Sequence, residues 1–456
     1  MKSLFSLLLA TTLLGTLPAL ARTDWATFVP PAYHPVFEAS DKDQTYVQAR
    51  SHDLYFWPFL DGQWLGVVTD PDGYFWFSFS THSGSQHAQL FRYDPRLDRI
   101  DHIADLGQMV GEKLTGTAPQ DKIHGAMFIH GDYLLAGTCD GGDGTNYEGG
   151  YWLVINRHTG VAERVSKSIT GDGLLTVGHD PSSGMLYGHT NHHGKLTVFD
   201  PASGEESILG IPWQDVIDRW EADADPRKPK KIYPRGLTLM VGPDGKVYGG
   251  KPVGPAFWVY DPLTGKISDL EVSLPPLPEA VAAGEPKAVE RWNKSGIHLA
   301  VWDEQDGCFY LIRSYDEMLC RFYPPTADTP ARLETVQPMG LSQHRFNNRH
   351  PSCTLVLHNR TIYYTPYTGW GGITHLQSYQ LDTGRFTDHG PIIVEDGRHV
   401  NECHAMDIGK DGKLYLAAFV FSKPDTPDPV TPWAMRDRYP FHSRLVIIDP
   451  GHDLKP

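Results

Sequence analysis

Cysteine is scarce in this chain: five residues in 456, an odd number, all of them beyond residue 138. That excludes a disulfide-stapled scaffold. Long apolar runs are missing after residue 20, and no later stretch approaches the roughly 20 apolar residues that a membrane helix needs. Basic residues are in deficit, 40 against 55 acidic for a net charge of −15, which argues against a general nucleic-acid binder. There is no low-complexity block, no G-x-S-x-G elbow, no H-E-x-x-H and no P-loop, so the familiar hydrolase and nucleotide signatures are absent.

What is present begins with MKSLFSLLLATTLLGTLPALA, in which Lys2 precedes an apolar run from Leu4 to Leu20 and Ala19-Leu20-Ala21 forms a small-residue cleavage site. This pattern predicts a secretory signal peptide over residues 1–21 and a mature protein, 22–456, that is secreted or periplasmic. Gly (45), Pro (36), Tyr (21), Phe (19) and Trp (12) suit a turn-rich, aromatic β protein.

One pattern then recurs: an apolar strand, a turn ending in Asp-Gly or similar, and a second strand of the Leu-Tyr-Gly type. It appears as WLGVVTDPDGYFWFSF, HGAMFIHGDYLLAGT, LLTVGHDPSSGMLYGHT, RGLTLMVGPDGKVYGG, IHLAVWDEQDGCFYLIR, SCTLVLHNRTIYYTP and CHAMDIGKDGKLYLAAF. A third strand closing on a Tyr-Asp-Pro-like turn follows each copy (LFRYDP, LTVFDPASG, FWVYDPLTG), and then a short polar fourth strand such as KISDLE. Four strands per copy at a period of roughly 50 to 60 residues predict an all-β fold, a seven-bladed β-propeller with four antiparallel strands per blade. The last copy runs out at LVIIDPGHDLKP, so its outer strand is expected from the N-terminal segment between Tyr33 and Phe59, making 22–456 a single domain. Two stretches read instead as short helices or insertions: WQDVIDRWEAD, starting at Trp213, and EAVAAGEPKAVER, 279–291.

In a propeller the innermost strand starts on one face of the disc, and the loop joining the second and third strands returns to that face. His124, Arg235, His298 and His404 fall at or near inner-strand starts, and HRFNNRHPSC, carrying His344, Arg345, Arg349 and His350, enters the sixth copy the same way. The returning loops add His82 and His87, DGGDGTNYEGG with Tyr147, and GHTNHHGK with His189, Asn191, His192 and His193. A single exposed histidine is usually a solvated loop residue, and strand starts use polar side chains to satisfy backbone groups. The convergence of several imidazoles and a guanidinium on one mouth is what points to a site.

An exported protein's natural polyanion is a uronic-acid polysaccharide. Its cleavage by β-elimination needs a group to neutralise the carboxylate, a base for the C5 proton and an acid for the departing O4. Arginine suits the first through its bidentate fork. Histidine, titrating near ~6.5, or tyrosine suits the others.

The stretches KIHGAMF, YEGG, LYGHTNHHGKLTVFDPASG and YPRGLTLMVGPDGKVYGG resemble the seven-bladed propeller polysaccharide lyases, the ulvan lyases and rhamnosyl-glucuronate lyases, through about three blades. The resemblance implies a His in the second blade and a Tyr or His in the third sharing the base and acid roles, with a nearby Arg holding the uronate. By position these are His124, then His192 or His193 where a Tyr would be expected, and Arg235. His189, Asn191, Tyr147 and Arg345 are the further substrate-binding candidates. The substrate expected is an acidic, ulvan-like glycan, sulfated or built of rhamnose and uronate, with the enzyme a monomer and neither nucleic acid nor membrane as partner.

The elimination requires no cofactor. A structural metal, zinc or calcium, would draw on His350, Cys353, Cys403 and His404, which offer two thiolates and two imidazoles on neighbouring inner strands. Two other readings stand beside the lyase. A rhamnosidase-like glycoside hydrolase would use paired carboxylates among Asp140, Asp143 and Glu148. A non-catalytic glycan-binding propeller would rest on aromatic platforms such as Trp370 and Trp433. A calcium-dependent lactonase would need carboxylate and Asn ligands at the channel mouth, where the sequence offers imidazole and guanidinium.

Overall fold

The computed structural model describes residues 46–454 except 55–56, 58, 82–85, 113–117, 141–146, 192, 223–235, 237, 252–255, 274–282, 285–296, 314–317, 339–351, 367–373 and 422–440. The expected leader, 1–21, lies outside these residues, as does most of 279–291.

Each of the first five sequence copies folds into its own four-stranded antiparallel sheet, and the last two join in one eight-stranded sheet. The first blade comprises Val67–Thr69, Phe75–Phe79, Gln89–Asp94 and Arg99–Asp105, and the second Phe128–His130, Tyr133–Gly137, Tyr151–Asn156 and Ala162–Lys167. The third comprises Leu174–His179, Leu186–Thr190, Leu196–Phe199 and Glu206–Gly210. The fourth and fifth open with Met240–Val241 and Ile297–Asp303 and end with Lys266–Ser273 and Arg332–Pro338. The sixth runs from Ser352–His358 to Arg385–Val394.

In the seventh, Val400–Ile408, Leu414–Phe421 and Phe441–Ile448 take their fourth strand from the N-terminal side, Val47–Asp53. That strand runs antiparallel to Phe441–Ile448 in a register from Arg50↔Ile447 to Asp53↔Arg444, so the expected closure is present. Its first residues also pair parallel with the sixth blade's outer strand, Val47↔Ile392, which fuses blades six and seven into one eight-stranded sheet. Arg444, buried, reaches Asp53 at 2.6 Å and Asp396 at 3.3 Å across this joint.

The local cause of the repeat is visible in the Asp-Gly-x-x-Tyr runs. Gly245, Gly307 and Gly412 turn with φ of 73°, 61° and 77°, a left-handed conformation that glycine adopts without a Cβ penalty. The tyrosine four residues after each Asp then donates its hydroxyl back to that carboxylate: Tyr248 to Asp244 at 2.8 Å, Tyr310 to Asp306 at 2.5 Å and Tyr415 to Asp411 at 2.8 Å. In the first blade Trp76 Nε1 does the same to Asp70 at 3.0 Å. The rings themselves fill the apolar layers between blades, as where Phe75, Phe77, Phe91 and Tyr415 stack together.

The helix expected at WQDVIDRWEAD forms as Gln214–Ala222. With Trp213 before it, it packs Val216 and Ile217 against the apolar layer that holds Trp258. Inner strands enclose a central cavity of about 390 Å³ whose lining includes Leu65, Val67, Met127, Val301, Leu355 and Met406.

Candidate functional site at one mouth of the propeller

The second blade shows how sequence neighbours become a face. Lys122 bridges antiparallel to Cys139, so the approach to the inner strand lies beside the end of the second strand. Lys122 and His124 therefore share a face with Asp140. In the third blade Asp172 and Gly173 lead into Leu174–His179, while Asn191 and His193 follow the second strand. The amide of Asn191 donates to Gly173 O at 2.7 Å, which folds this loop onto the inner-strand start. Asn191 Nδ2 reaches across blades to Asp140 Oδ1 at 3.3 Å.

His124 is held on two sides. Its Nδ1 lies 2.9 Å from Leu175 O of the next blade. A carbonyl only accepts, so Nδ1 carries a hydrogen. The ring stacks on Trp64 with centroids 4.9 Å apart and planes 16° from parallel. Trp64 also carries Lys122 Nζ 4.6 Å from its ring centre and meets the His404 ring edge-on at 5.0 Å. Behind it, the His404 amide donates to Gln63 Oε1 at 2.8 Å and its Nε2 meets Glu402 Oε1. Burial lifts the Glu402 carboxyl to about 8.

His193 stands half exposed, with Nδ1 2.6 Å from Oδ1 of the buried Asp172. Tyr147 donates its hydroxyl to Gln120 Oε1 at 2.7 Å, which also receives Thr138 Oγ1 at 2.7 Å. Burial, and then the negative neighbours Cys139, Asp140, Asp121 and Glu112, hold the Tyr147 phenol well above its ordinary range, so it keeps its proton.

The structure thus brings His124, Tyr147, Asn191 and His193 to one mouth. His189 differs. It is fully buried between Trp213 and Trp258, with centroids 4.6 and 5.2 Å away, and burial drives its imidazole down to about 3. Its expected substrate-binding role is corrected to that of a neutral wall residue, because the strand Leu186–Thr190 is buried along its whole length and Trp213 and Trp258 close over the ring. His192, Arg235, Arg345 and His350 lie outside the described residues, as do His82, Asp143, His344, Arg349, Trp370 and Trp433. The side chains of His298 and Cys353 are likewise outside them.

The proposed metal set does not fit where it can be followed. Cys403 lies in the apolar cluster with Val400 and Met406 and donates to Ala405 O at 3.3 Å. His404 turns the other way, to Trp64 and Glu402. Among the described residues no group of three His, Cys, Asp or Glu could hold a metal ion.

The expected mouth of imidazole and guanidinium needs a second correction. Its described part also carries the buried carboxyl groups of Asp121, Asp140, Asp172 and Glu402. Glu148, by contrast, is exposed and paired with Lys167 at 3.3 Å. His87 serves the frame: its Nδ1 and Nε2 meet Asp105 at 2.8 Å and Glu112 at 3.2 Å, and these bonds raise it to about 9. Glu112 in turn accepts the Gln120 amide at 2.9 Å, steadying the turn that carries Tyr147's partner. Sequence reading missed Trp64, Lys122, Asp172 and Glu402. Only Lys122, two residues before His124 in KIHG, had a local signal.

No family model matches the chain, and no curated protein matches it. Among solved structures it is similar to the β-propeller domain of Cps50 (Swd1) from Myceliophteria thermophila, at 10% identity over 88% of this chain and 98% of that one, TM-score 0.50. It is also similar to the extracellular domain of BT4673 from B. thetaiotaomicron, at 16% identity and TM-score 0.47 over 78% of this chain, which spans only 38% of that one. A virginiamycin B lyase from Staphylococcus aureus matches at 10% identity and TM-score 0.48 over 81% of this chain and 95% of that one. At such identities the likeness shows the fold alone, and the fold is a β-propeller.

Proposed function

We propose that the protein is an exported polysaccharide lyase that cleaves a uronic-acid-containing, ulvan-like glycan of rhamnose and uronate by β-elimination. The observation that carries this reading is the pair His124 and His193: two imidazoles from adjacent blades, each with Nδ1 engaged by an oxygen acceptor, which leaves Nε2 as the proton-transferring atom of both. His124 and the third-blade loop, His193 or His192, take the base and acid roles. One removes the C5 proton, the electron pair forms the C4=C5 bond, and the departing O4 takes a proton from the other.

Arg235 and Arg345 are the proposed partners of the uronate carboxylate. Tyr147 and Asn191 would contact the sugar from the same loops. Nothing in this scheme calls for a cofactor. The unit envisaged is residues 22–456, exported behind a cleaved leader and acting as a monomer. In support, no helix among the described residues is long and apolar enough to cross a membrane.

The test is to incubate the protein with ulvan and with other polyuronates and follow the ultraviolet band of an unsaturated uronate. A rising band that His124→Ala abolishes while leaving the circular dichroism spectrum unchanged is the expected result. A flat baseline on every polyuronate would end the lyase reading. The buried Asp140 and Asp172 favour one other, a glycoside hydrolase acting on the same glycans. It would release reducing ends with no ultraviolet band.

A further inference from the structure

The two site histidines are not backed alike. His124 has a neutral peptide carbonyl behind Nδ1, whereas His193 has the Asp172 carboxylate at 2.6 Å. Asp172 is itself almost wholly buried, with a side chain only 4% exposed. Its second oxygen, Oδ2, accepts Thr190 Oγ1 at 3.1 Å and faces Lys195 Nζ at 3.6 Å. Lys195 is anchored in turn on Thr170 O at 2.9 Å. Both donors on Oδ2 hold the carboxylate in one rotation, so that Oδ1 is presented to His193.

From this geometry we infer that Asp172 is a positioning residue that fixes His193 as the Nδ1–H tautomer and makes it the site's proton acceptor, leaving His124 to protonate the leaving oxygen. An ionised carboxylate can only accept, so the ring must turn a hydrogen to it, and Nε2 is then the lone-pair atom of the ring. When Nε2 takes a proton, the adjacent carboxylate stabilises the imidazolium at once. Behind His124 Nδ1 the corresponding group is the Leu175 carbonyl, a dipole without net charge. The proton balance is that of the elimination: C5–H goes to His193 Nε2, the electron pair forms C4=C5 as the C4–O4 bond breaks, and O4 takes the Nε2 proton of His124, which acts from its imidazolium form. The role of the dyad rests on the lyase reading, but its geometry does not.

Asp172→Asn separates the two. The isosteric amide would have to meet Thr190 and the Lys195 ammonium with its oxygen, because a lysine offers only donors, and so its NH₂ turns to His193 Nδ1. The imidazole must then flip to the Nε2–H tautomer. In protein labelled with ¹⁵N-histidine, the His193 resonances are identified as those lost in His193→Gln. They should report Nδ1–H in the wild type and Nε2–H in Asp172→Asn, with melting temperature nearly unchanged.

On a polyuronate, kcat of Asp172→Asn should fall by roughly 10⁴-fold with KM little altered, as when a triad carboxylate is replaced by its amide. If His193 is Nε2–H in the wild type, or keeps Nδ1–H in Asp172→Asn, the dyad is wrong whatever the enzyme does. The tautomer switch without any lyase activity in the wild type would overturn the role and the lyase reading while leaving the dyad standing. The switch in an active enzyme whose kcat stays within threefold of wild type would overturn the base assignment alone.

Discussion

Two buried histidines show how one side chain is used in opposite senses. His87 is charged in the fold, raised from 6.5 to about 9 by Asp105 and Glu112. Its stabilisation is complete below about 6.5 and is lost as pH rises towards 9, because the unfolded chain gives up that proton first. His189 is neutral in the fold, lowered to about 3 by burial alone. Its site weakens as pH falls from 6.5 towards 3, since the unfolded state then binds the extra proton. Urea midpoints measured across pH should therefore decline on both sides of neutrality. His87→Gln should flatten the alkaline limb and lower stability at pH 7 by about 3 kcal/mol, because two carboxylates lose the cation between them. His189→Leu should ease the acid limb without touching the alkaline one. A midpoint for His87→Gln that still falls between pH 7 and 9 as in the wild type would show that another group carries the alkaline loss.

At the scale of the element, the Asp-Gly-x-x-Tyr turn makes the inner hairpins of the fourth, fifth and seventh blades self-locking. The glycine reverses the chain and the tyrosine ties the turn from within the next strand. Tyr248→Phe removes the bond to a partly exposed Asp244 and should lower unfolding free energy by about 1 kcal/mol in urea titration. Gly412→Ala places a Cβ at φ +77° with open space around it, so the loss, again about 1 kcal/mol, is conformational and not steric. A larger loss for Gly412→Ala than for Tyr248→Phe by several kcal/mol would mean that the turn, not the tie, governs the hairpin. These turns were legible because every participant lies within five residues. The His189 wall was not, since its partners Trp213 and Trp258 come from a helix lead-in and another blade.

For the whole molecule, the ring is held shut where the strand Val47–Asp53 meets the seventh blade. Val47–Asp53 supplies the last strand and Arg444 joins Asp53 and Asp396. Removing residues 1–53 would leave Phe441–Ile448 as a long, open apolar edge. We expect that variant to have a clearly lower melting temperature and to self-associate in light scattering, whereas Arg444→Met should lower stability by about 3 kcal/mol and stay dispersed. A truncated chain as stable and as monodisperse as the full one would mean that closure contributes little.

The sequence alone determined the repeat, the strand order within each blade and the need for an N-terminal strand, because these depend on period-two alternation and on turns whose residues are close neighbours. It also pointed to His124 and the turn after Thr190 as neighbours, since topology sends inner-strand starts and returning loops to the same face, and both bond to the start of the third blade's inner strand. Only the tertiary structure decided which imidazoles face solvent and what stands behind them. His189, in the strand Leu186–Thr190, and His193, in the turn after it, lie four residues apart, yet one is sealed between tryptophans and the other leans on Asp172. That difference is made by burial and by partners from outside the loop, and burial is a property of the packed ring rather than of any local run of residues.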